Sequence, residues 1–366
     1  MVVFFKKMFN FAKSTHVDLI IRYDNRMKRS TLSDIAEKTG LSITTISRVL
    51  NGKSEQFRIS ERTQGIVREA VKELDYRPNV VAQTLRNNAS RTLGLLVPSI
   101  ENPFFASIAS VVIREASNYS YPVMVIDTRE SAEEEQRALD TFQQRNVDGI
   151  LMVPCGNGAD RLVALSREKP LVLIDRYFEN VDIPYVCTDN FRGAYEATRR
   201  LIEAGHRKIM CIQGVPASIT SRRRVEGYLE ALREAGLEEE AMICGNNFST
   251  GNGYVETQLA LNSGREFTAI FALSSTNLLG ALGALKDYGV KVPEEVSLIS
   301  FDDNVYLNYL NPAVSCVSQP VEHIGIAAVK ILMDRILGNP AENTTVEILP
   351  RLINRESVVR PHVEEC

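Results

Sequence analysis

The six cysteines of this 366-residue chain form no C-x-x-C pair: Cys155, Cys187, Cys211, Cys244, Cys316 and Cys366 lie tens of residues apart. The spacing of a zinc ribbon and that of a dithiol oxidoreductase are therefore missing, and the pattern suits a reducing cytoplasm. Histidine is scarce, with four residues (His16, His206, His323 and His362) and no H-E-x-x-H arrangement, so no metal site is expected. No apolar run reaches eighteen residues, which removes a membrane-spanning helix. Phosphate-cradling loops are missing too. There is no G-x-x-x-x-G-K-[ST] and no G-x-G-x-x-G, and Gly156-Asn157-Gly158 lacks the third glycine. No G-x-S-x-G nucleophile turn occurs either. These absences argue against an enzyme with catalytic residues and against a bound cofactor.

What is present is ordinary globular material: 44% hydrophobic and 24% charged residues, in a length that suits two or three domains. Residues 1–26 stand apart. The apolar start, MVVFFKKMFNFA, is split by Lys6 and Lys7 and is followed by no small-residue cleavage site, which argues against export. The segment reads as an extension outside the native protein, with translation expected to begin at Met27.

Charge is partitioned. The whole chain carries −4, but residues 27–91 hold twelve Lys/Arg and seven Asp/Glu, a net of +5. Residues 1–26 carry +3, and the remainder −12. A small basic module on an acidic body is compatible with phosphate contacts, which need local rather than total charge. Within that module Thr31 caps a helix whose apolar face is Leu32, Ile35 and Ala36, and Gly40 ends it. Ser42 caps a second helix with Ile46, Val49 and Leu50 as its buried stripe, and Asn51-Gly52 closes it. A third helix runs from Ser60 to about Leu74, with Ile66, Ala70, Val71 and Leu74 expected to face inward. Two short helices joined by a glycine turn form a helix-turn-helix pattern, whose second helix offers small polar residues to a major groove.

The segment Ala36-Glu37-Lys38-Thr39-Gly40-Leu41-Ser42-Ile43-Thr44-Thr45-Ile46-Ser47-Arg48-Val49-Leu50-Asn51-Gly52 is followed by Leu74-Asp75-Tyr76-Arg77-Pro78-Asn79-Val80-Val81-Ala82-Gln83-Thr84-Leu85. Together they resemble the lactose-repressor (LacI/GalR) family of bacterial transcription regulators. The resemblance continues to Pro361, with a departure in the loop 53–59 (KSEQFRI), which is longer than is common. It implies that Ile43, Thr44 and Arg48 read base edges. It places Ser42, Thr45, Ser47 and Asn51 at phosphates. Residues 79–85 then form a hinge helix in which Asn79, Ala82 and Leu85 meet the minor groove, with Leu85 as a wedge at the central step.

Beyond residue 91 the pattern alternates strand and helix, as a parallel sheet requires, and ligands in such sheets sit beyond the carboxyl ends of strands. The resemblance implies a periplasmic-binding-protein-like body of two doubly wound α/β subdomains. The expected division is a helix-turn-helix domain at 27–77, a hinge and linker at 78–90, and the body at 91–361. Its N-subdomain would comprise about 91–176 and 318–345, and its C-subdomain about 177–317 and 346–361, with crossings near 175–180 and 316–320. The effector residues implied are Phe104 and Phe105 as stacking aromatics, Phe248 as a wall, Arg224 as the gripping cation with Arg222 beside it, and Asp302 as a hydroxyl acceptor. Asp175 and Arg176 end a strand (VLIDR), and Ser274-Ser275 replace the Asn-Asp of many relatives. A carboxylate and a guanidinium across a cleft suit a polyol. The expected protein is a sequence-specific regulator that binds a near-palindromic double-stranded DNA operator as a homodimer, switched by a small-molecule effector of the sugar class. Residues 354–366 offer no heptad repeat that would make a tetramer. The alternatives are the same regulator controlled by a protein partner, and a solute-binding receptor; the helix-turn-helix counts against the latter.

Overall fold

The computed structural model describes residues 30–76, 89–156, 158–339 and 345–361. The chain divides into two compact units, residues 1–88 and 89–366. The expectations for residues 1–26 and for the hinge residues Asn79, Ala82 and Leu85 fall outside the described residues.

Among the described residues of the first unit lie three helices, α1 (Leu32–Thr39), α2 (Ile43–Leu50) and α3 (Glu61–Glu73). Each begins on a hydroxyl that accepts from the first turn: Asp34 N–H donates to Thr31 Oγ1 at 3.3 Å, Thr45 N–H to Ser42 Oγ at 3.1 Å and Thr63 N–H to Ser60 Oγ at 3.3 Å. Asp34 completes a capping box by accepting from the Thr31 N–H at 2.7 Å. Gly40 turns the chain between α1 and α2 at φ 68°, a left-handed conformation that favours glycine. Ile35, Ile46 and Val67 are fully buried in the small core, joined by Val49 and Ala70. Ile66, expected inward, is 41% exposed, and Val67 takes its place. Val67, Ala70, Val71 and Leu74 follow the i, i+3, i+4, i+7 face, from which Ile66 is turned by about 100°.

The second unit begins with β1 (Leu93–Val97), α4 (Pro103–Asn118), β2 (Val123–Asp127), α5 (Ala132–Gln144), β3 (Gly149–Met152), α6 (Asp160–Glu168), β4 (Leu171–Ile174) and β5 (Tyr185–Thr188). It continues with α7 (Asn190–Glu203), β6 (Ile209–Ile212), α8 (Ile219–Glu234), β7 (Met242–Cys244), α9 (Thr250–Asn262), β8 (Ala269–Ala272), α10 (Ser275–Asp287), β9 (Ser297–Phe301) and β10 (Ser315–Ser318). Last come α11 (Val321–Leu337), β11 (Thr345–Ile348) and β12 (Arg351–Ile353). Among the described residues two six-stranded sheets result, ordered β11-β5-β4-β3-β1-β2 and β12-β10-β9-β8-β6-β7. All pairings are parallel except β10 with β12. The central strands are apolar and buried because helices cover both faces.

The division between halves differs from the expected one. Tyr185–Thr188 was placed in the second half, yet it pairs with β4 and β11 in the first sheet. The chain therefore crosses after Thr188, not at 175–180, and β11 keeps residues up to Ile348 in the first sheet. Four-residue strands such as YVCT show no periodicity long enough to announce a sheet; the open edge of β4 recruits this one. The crossing expected at 316–320 lies where β10 ends and α11 begins.

Candidate functional site

In each half the first strand, β1 or β6, lies between its second and third strands, so connections leave it in opposite directions. A crevice opens at such a switch point, at the carboxyl ends of the strands. Asn102, Phe104 and Phe105 follow β1, Asp175 and Arg176 follow β4, Thr220 follows β6, Phe248 follows β7, Ser274 follows β8, Asp302 follows β9 and Gln319 follows β10. All of them line one cavity. Its volume is ≈ 20 Å³, about the space of one water. A larger ligand needs more room than this arrangement of the lining leaves.

Both acids leave their strands in the left-handed region, Asp175 at φ 63° and Asp302 at φ 75°. Their N–H groups still donate to the adjacent strand, Asp175 to Val186 O at 2.9 Å and Asp302 to Val317 O at 3.0 Å. Strained backbone of this kind persists where surrounding structure over-determines it, and binding sites are where it gathers. Asp302 is well supplied: Oδ1 accepts from Gln319 Nε2 at 2.5 Å and Oδ2 from the Ser275 N–H at 3.4 Å. Gln319 in turn accepts from the Thr188 hydroxyl at 2.6 Å. Asp175 is poorly supplied, with a buried Oδ1 that has no hydrogen-bond partner. Burial pushes its carboxyl up to about 6, against the pull of Arg224 and Arg176.

Arg224 is buried, donates from Nε to Asn190 Oδ1 and from Nη1 to Leu273 O, both at 2.7 Å, and lies 3.7 Å over the Phe301 ring. Burial lowers its pKa, and the two aspartates oppose that. Arg176 makes a bidentate pair with Glu130, at 2.7 Å on each nitrogen, and faces the Phe105 and Phe248 rings at 5.8 Å each. Burial works against its charge, but Glu130 outweighs this and the guanidinium sits above its ordinary range.

Of the expected effector residues, Phe104, Phe105, Asp175, Arg224, Phe248, Ser274 and Asp302 come together in the cavity. Arg222 does not. Two positions along α8 are about 200° apart around the helix, so Arg222 faces outward, where it donates to Glu179 at 2.8 Å. Thr220, four positions before Arg224, shares its face and lines the cavity instead. Asn102, Thr220 and Gln319 among the lining residues, and Glu130, Thr188 and Asn190 behind them, escaped sequence reasoning. They are single polar residues in turns, at strand ends and in the first turns of helices, and only their positions at the carboxyl edge of the sheets could have singled them out.

In the first unit, Ile43, Thr44 and Asn51 are exposed on α2 and at its end, with Ser47 half-buried beside them. Ser42 Oγ and Thr45 Oγ1 lie 2.9 Å apart at the helix start. The Asn51 amide donates to Ser47 O at 2.5 Å and to Ser47 Oγ at 3.2 Å. The guanidinium carbon of Arg48 lies 3.8 Å from the centre of the Phe57 ring.

The family model for periplasmic binding proteins and the sugar-binding domain of the LacI family matches residues 90–356, and that for bacterial regulatory proteins of the lacI family matches residues 31–79. The chain belongs to the LacI family. It is 36% identical over 335 residues to the HTH-type transcriptional repressor PurR of Erwinia tasmaniensis, spanning 90% of this chain and 97% of that protein. The transcriptional regulator CelR in complex with cellobiose matches at 30% identity with a TM-score of 0.66, covering 90% of this chain and 100% of that one. The lac repressor dimer bound to operator and the anti-inducer ONPF shares the fold, with a TM-score of 0.82 at 24% identity over 91% of this chain and 100% of that one. As a LacI-family protein, the chain is a sequence-specific DNA-binding repressor under allosteric control by a small effector, not an enzyme. Among the described residues no group of His, Cys, Asp and Glu could hold a metal ion, and no helix is long and apolar enough to cross a membrane.

Proposed function

We propose that the effector of this LacI-family regulator is a neutral polyhydroxylated molecule, a sugar or sugar derivative, bound where Asp175, Asp302 and Arg224 converge. The observation that carries this reading is the unpartnered buried oxygen of Asp175, in an aromatic-walled cavity that Arg224 and Asp302 also line. Hydroxyl groups both donate and accept, so one ligand can donate to the carboxylates and accept from the arginine. A ligand carboxylate or phosphate would meet two acids, and both terminal nitrogens of Arg176 are taken by Glu130, leaving only its Nε unpartnered. Phe104, Phe105 and Phe248 supply apolar faces for the C–H surfaces of a sugar ring. The cellobiose complex of CelR supports the same class.

In this reading the regulator acts in the cytoplasm as a homodimer on a near-palindromic operator. Ile43, Thr44 and Arg48 read base edges, Ser42, Thr45, Ser47 and Asn51 hold phosphates, and Asn79, Ala82 and Leu85 enter the minor groove. Ligand moves DNA affinity only by binding the open and closed bodies unequally. Titration calorimetry with panels of neutral sugars, sugar acids and free nucleobases, paired with fluorescence anisotropy on duplexes tiled upstream of the protein's own gene, tests both parts. Binding by sugar acids or nucleobases but not by neutral sugars overturns the effector class. Sequence-blind, salt-sensitive binding to every duplex overturns the base-reading assignment.

A further inference from the structure

The loop after α2, residues 53–59, is well anchored. Its first residue donates back into the helix, Lys53 N–H to Arg48 O at 2.9 Å. Inside the loop, Phe57 N–H donates to Lys53 O at 3.2 Å, Arg58 N–H to Glu55 O at 3.1 Å and Ile59 N–H to Ser54 O at 2.8 Å. Ser54 is buried, and Ile59 packs onto the core formed by Ile35, Ile46 and Val67. The product of this folding is a phenyl ring with no place in the core: Phe57 is 41% exposed and lies against the guanidinium of Arg48 at 3.8 Å.

We propose that Phe57 is a positioning residue for DNA recognition, holding the Arg48 guanidinium by its face so that its edge is presented to a base. This rests on the base-reading role of Arg48 proposed above. A guanidinium is planar: its five N–H donors point outward in the plane, and its faces carry none. A ring beneath one face therefore restrains the side chain without consuming a donor, and no hydrogen bond or ion pair of the Arg48 guanidinium is recorded among the described residues. The edge stays available for the two acceptors that a guanine offers in the major groove. An arginine already held in that pose loses less rotamer freedom on binding than one that samples freely. The loop thus acts on base selection through Arg48.

The full-length protein, with an operator selected from random duplexes, provides the test. Anisotropy titrations would compare wild type with Phe57→Leu, which keeps apolar bulk but removes the π face, and with Phe57→Tyr, which restores it. Phe57→Leu is expected to weaken the selected operator by about two- to fivefold, the range of an exposed cation–π contact. That loss should be confined to discrimination at the base pair whose identity ceases to matter in Arg48→Ala, and Phe57→Tyr should recover it. In an Arg48→Ala background Phe57→Leu should change nothing further. Additive losses in that background would mean that Phe57 touches DNA itself and would overturn the positioning role. Wild-type behaviour of Phe57→Leu alongside a damaged Arg48→Ala would overturn it while leaving Arg48 as a reader. A silent Arg48→Ala, or no selected operator, would overturn both. Far-UV melting of each variant separates these outcomes from loss of the fold.

Discussion

Asp175 and Asp302 hold equivalent places in the two halves of the body, each directly after the fourth strand of its half and each in the left-handed region. Their surroundings differ. Asp302 accepts from Gln319 and from the Ser275 N–H, whereas one oxygen of Asp175 is buried without a partner. One fold position thus produces one acid that the protein has satisfied and one that it has not. The difference teaches where a ligand contributes most: a donor brought to Asp175 relieves a desolvated carboxyl, while a donor brought to Asp302 competes with hydrogen bonds already made.

The largest expected effect comes from removing the cation that both acids sense. Arg224→Met leaves Asn190 Oδ1 and Leu273 O without their donor and takes from Asp175 one of the two guanidinium charges beside it; unfolding free energy in urea should fall by about 3–5 kcal/mol, with effector response lost. A loss under about 1 kcal/mol would show that the acids are neutralised some other way.

Next comes the pH dependence of Asp175. Its carboxyl holds its proton up to about pH 6 in the folded protein, while the ordinary value is 3.8. Between these limits the unfolded chain binds fewer protons than the folded one, so this group's contribution to stability declines as pH rises through that window. Measured against wild type, Asp175→Asn should therefore gain stability from pH 4 to pH 7, by up to about 3 kcal/mol. A flat difference between pH 4 and pH 7 would show that the unpartnered oxygen of Asp175 costs the fold nothing.

Gln319→Ala sharpens the comparison from the other side, because it removes a donor from Asp302 and an acceptor from Thr188. Stability should drop by about 1–2 kcal/mol in denaturant titrations, and effector affinity should fall with it. The smallest effect belongs to the exposed pair of Arg222 and Glu179, which joins the two halves outside the cavity. Arg222→Gln should alter effector affinity by about twofold at most, and less in high salt. A tenfold loss would return Arg222 to the binding site.

Local signals carried much of this fold. The caps Thr31, Ser42 and Ser60 and the left-handed Gly40 marked the helix-turn-helix because each acts on atoms within a few residues. The apolar runs of β1, β3, β4, β6, β8 and β9 were legible because strands covered on both faces need continuous hydrophobicity. Strands β5, β7, β10, β11 and β12 were not, being three or four residues long and including Cys, Ser, Thr or Arg. In the cavity, Phe104, Phe105, Asp175, Ser274 and Asp302, which end strands or open helices, were found; Asn102 and Thr220 were missed, and so were Gln319 and Thr188. Those two meet across a sequence separation of 131 residues, which no local pattern encodes.

By itself the amino-acid sequence determined the helix-turn-helix, the alternation of strand and helix, the basic module on an acidic body, and the absence of metal and nucleotide motifs. These depend on neighbours in the chain and on composition. Tertiary structure decided the rest. It set Arg224 inward and Arg222 outward, satisfied one aspartate and stranded the other, and laid Phe57 under Arg48. It also let α9 cross α10 so closely at Gly253 that an added Cβ would lie 2.0 Å from the Asn277 carbonyl oxygen. Burial, partner count and close approach are properties of segments brought together from distant parts of the chain, and they come into being only when it folds.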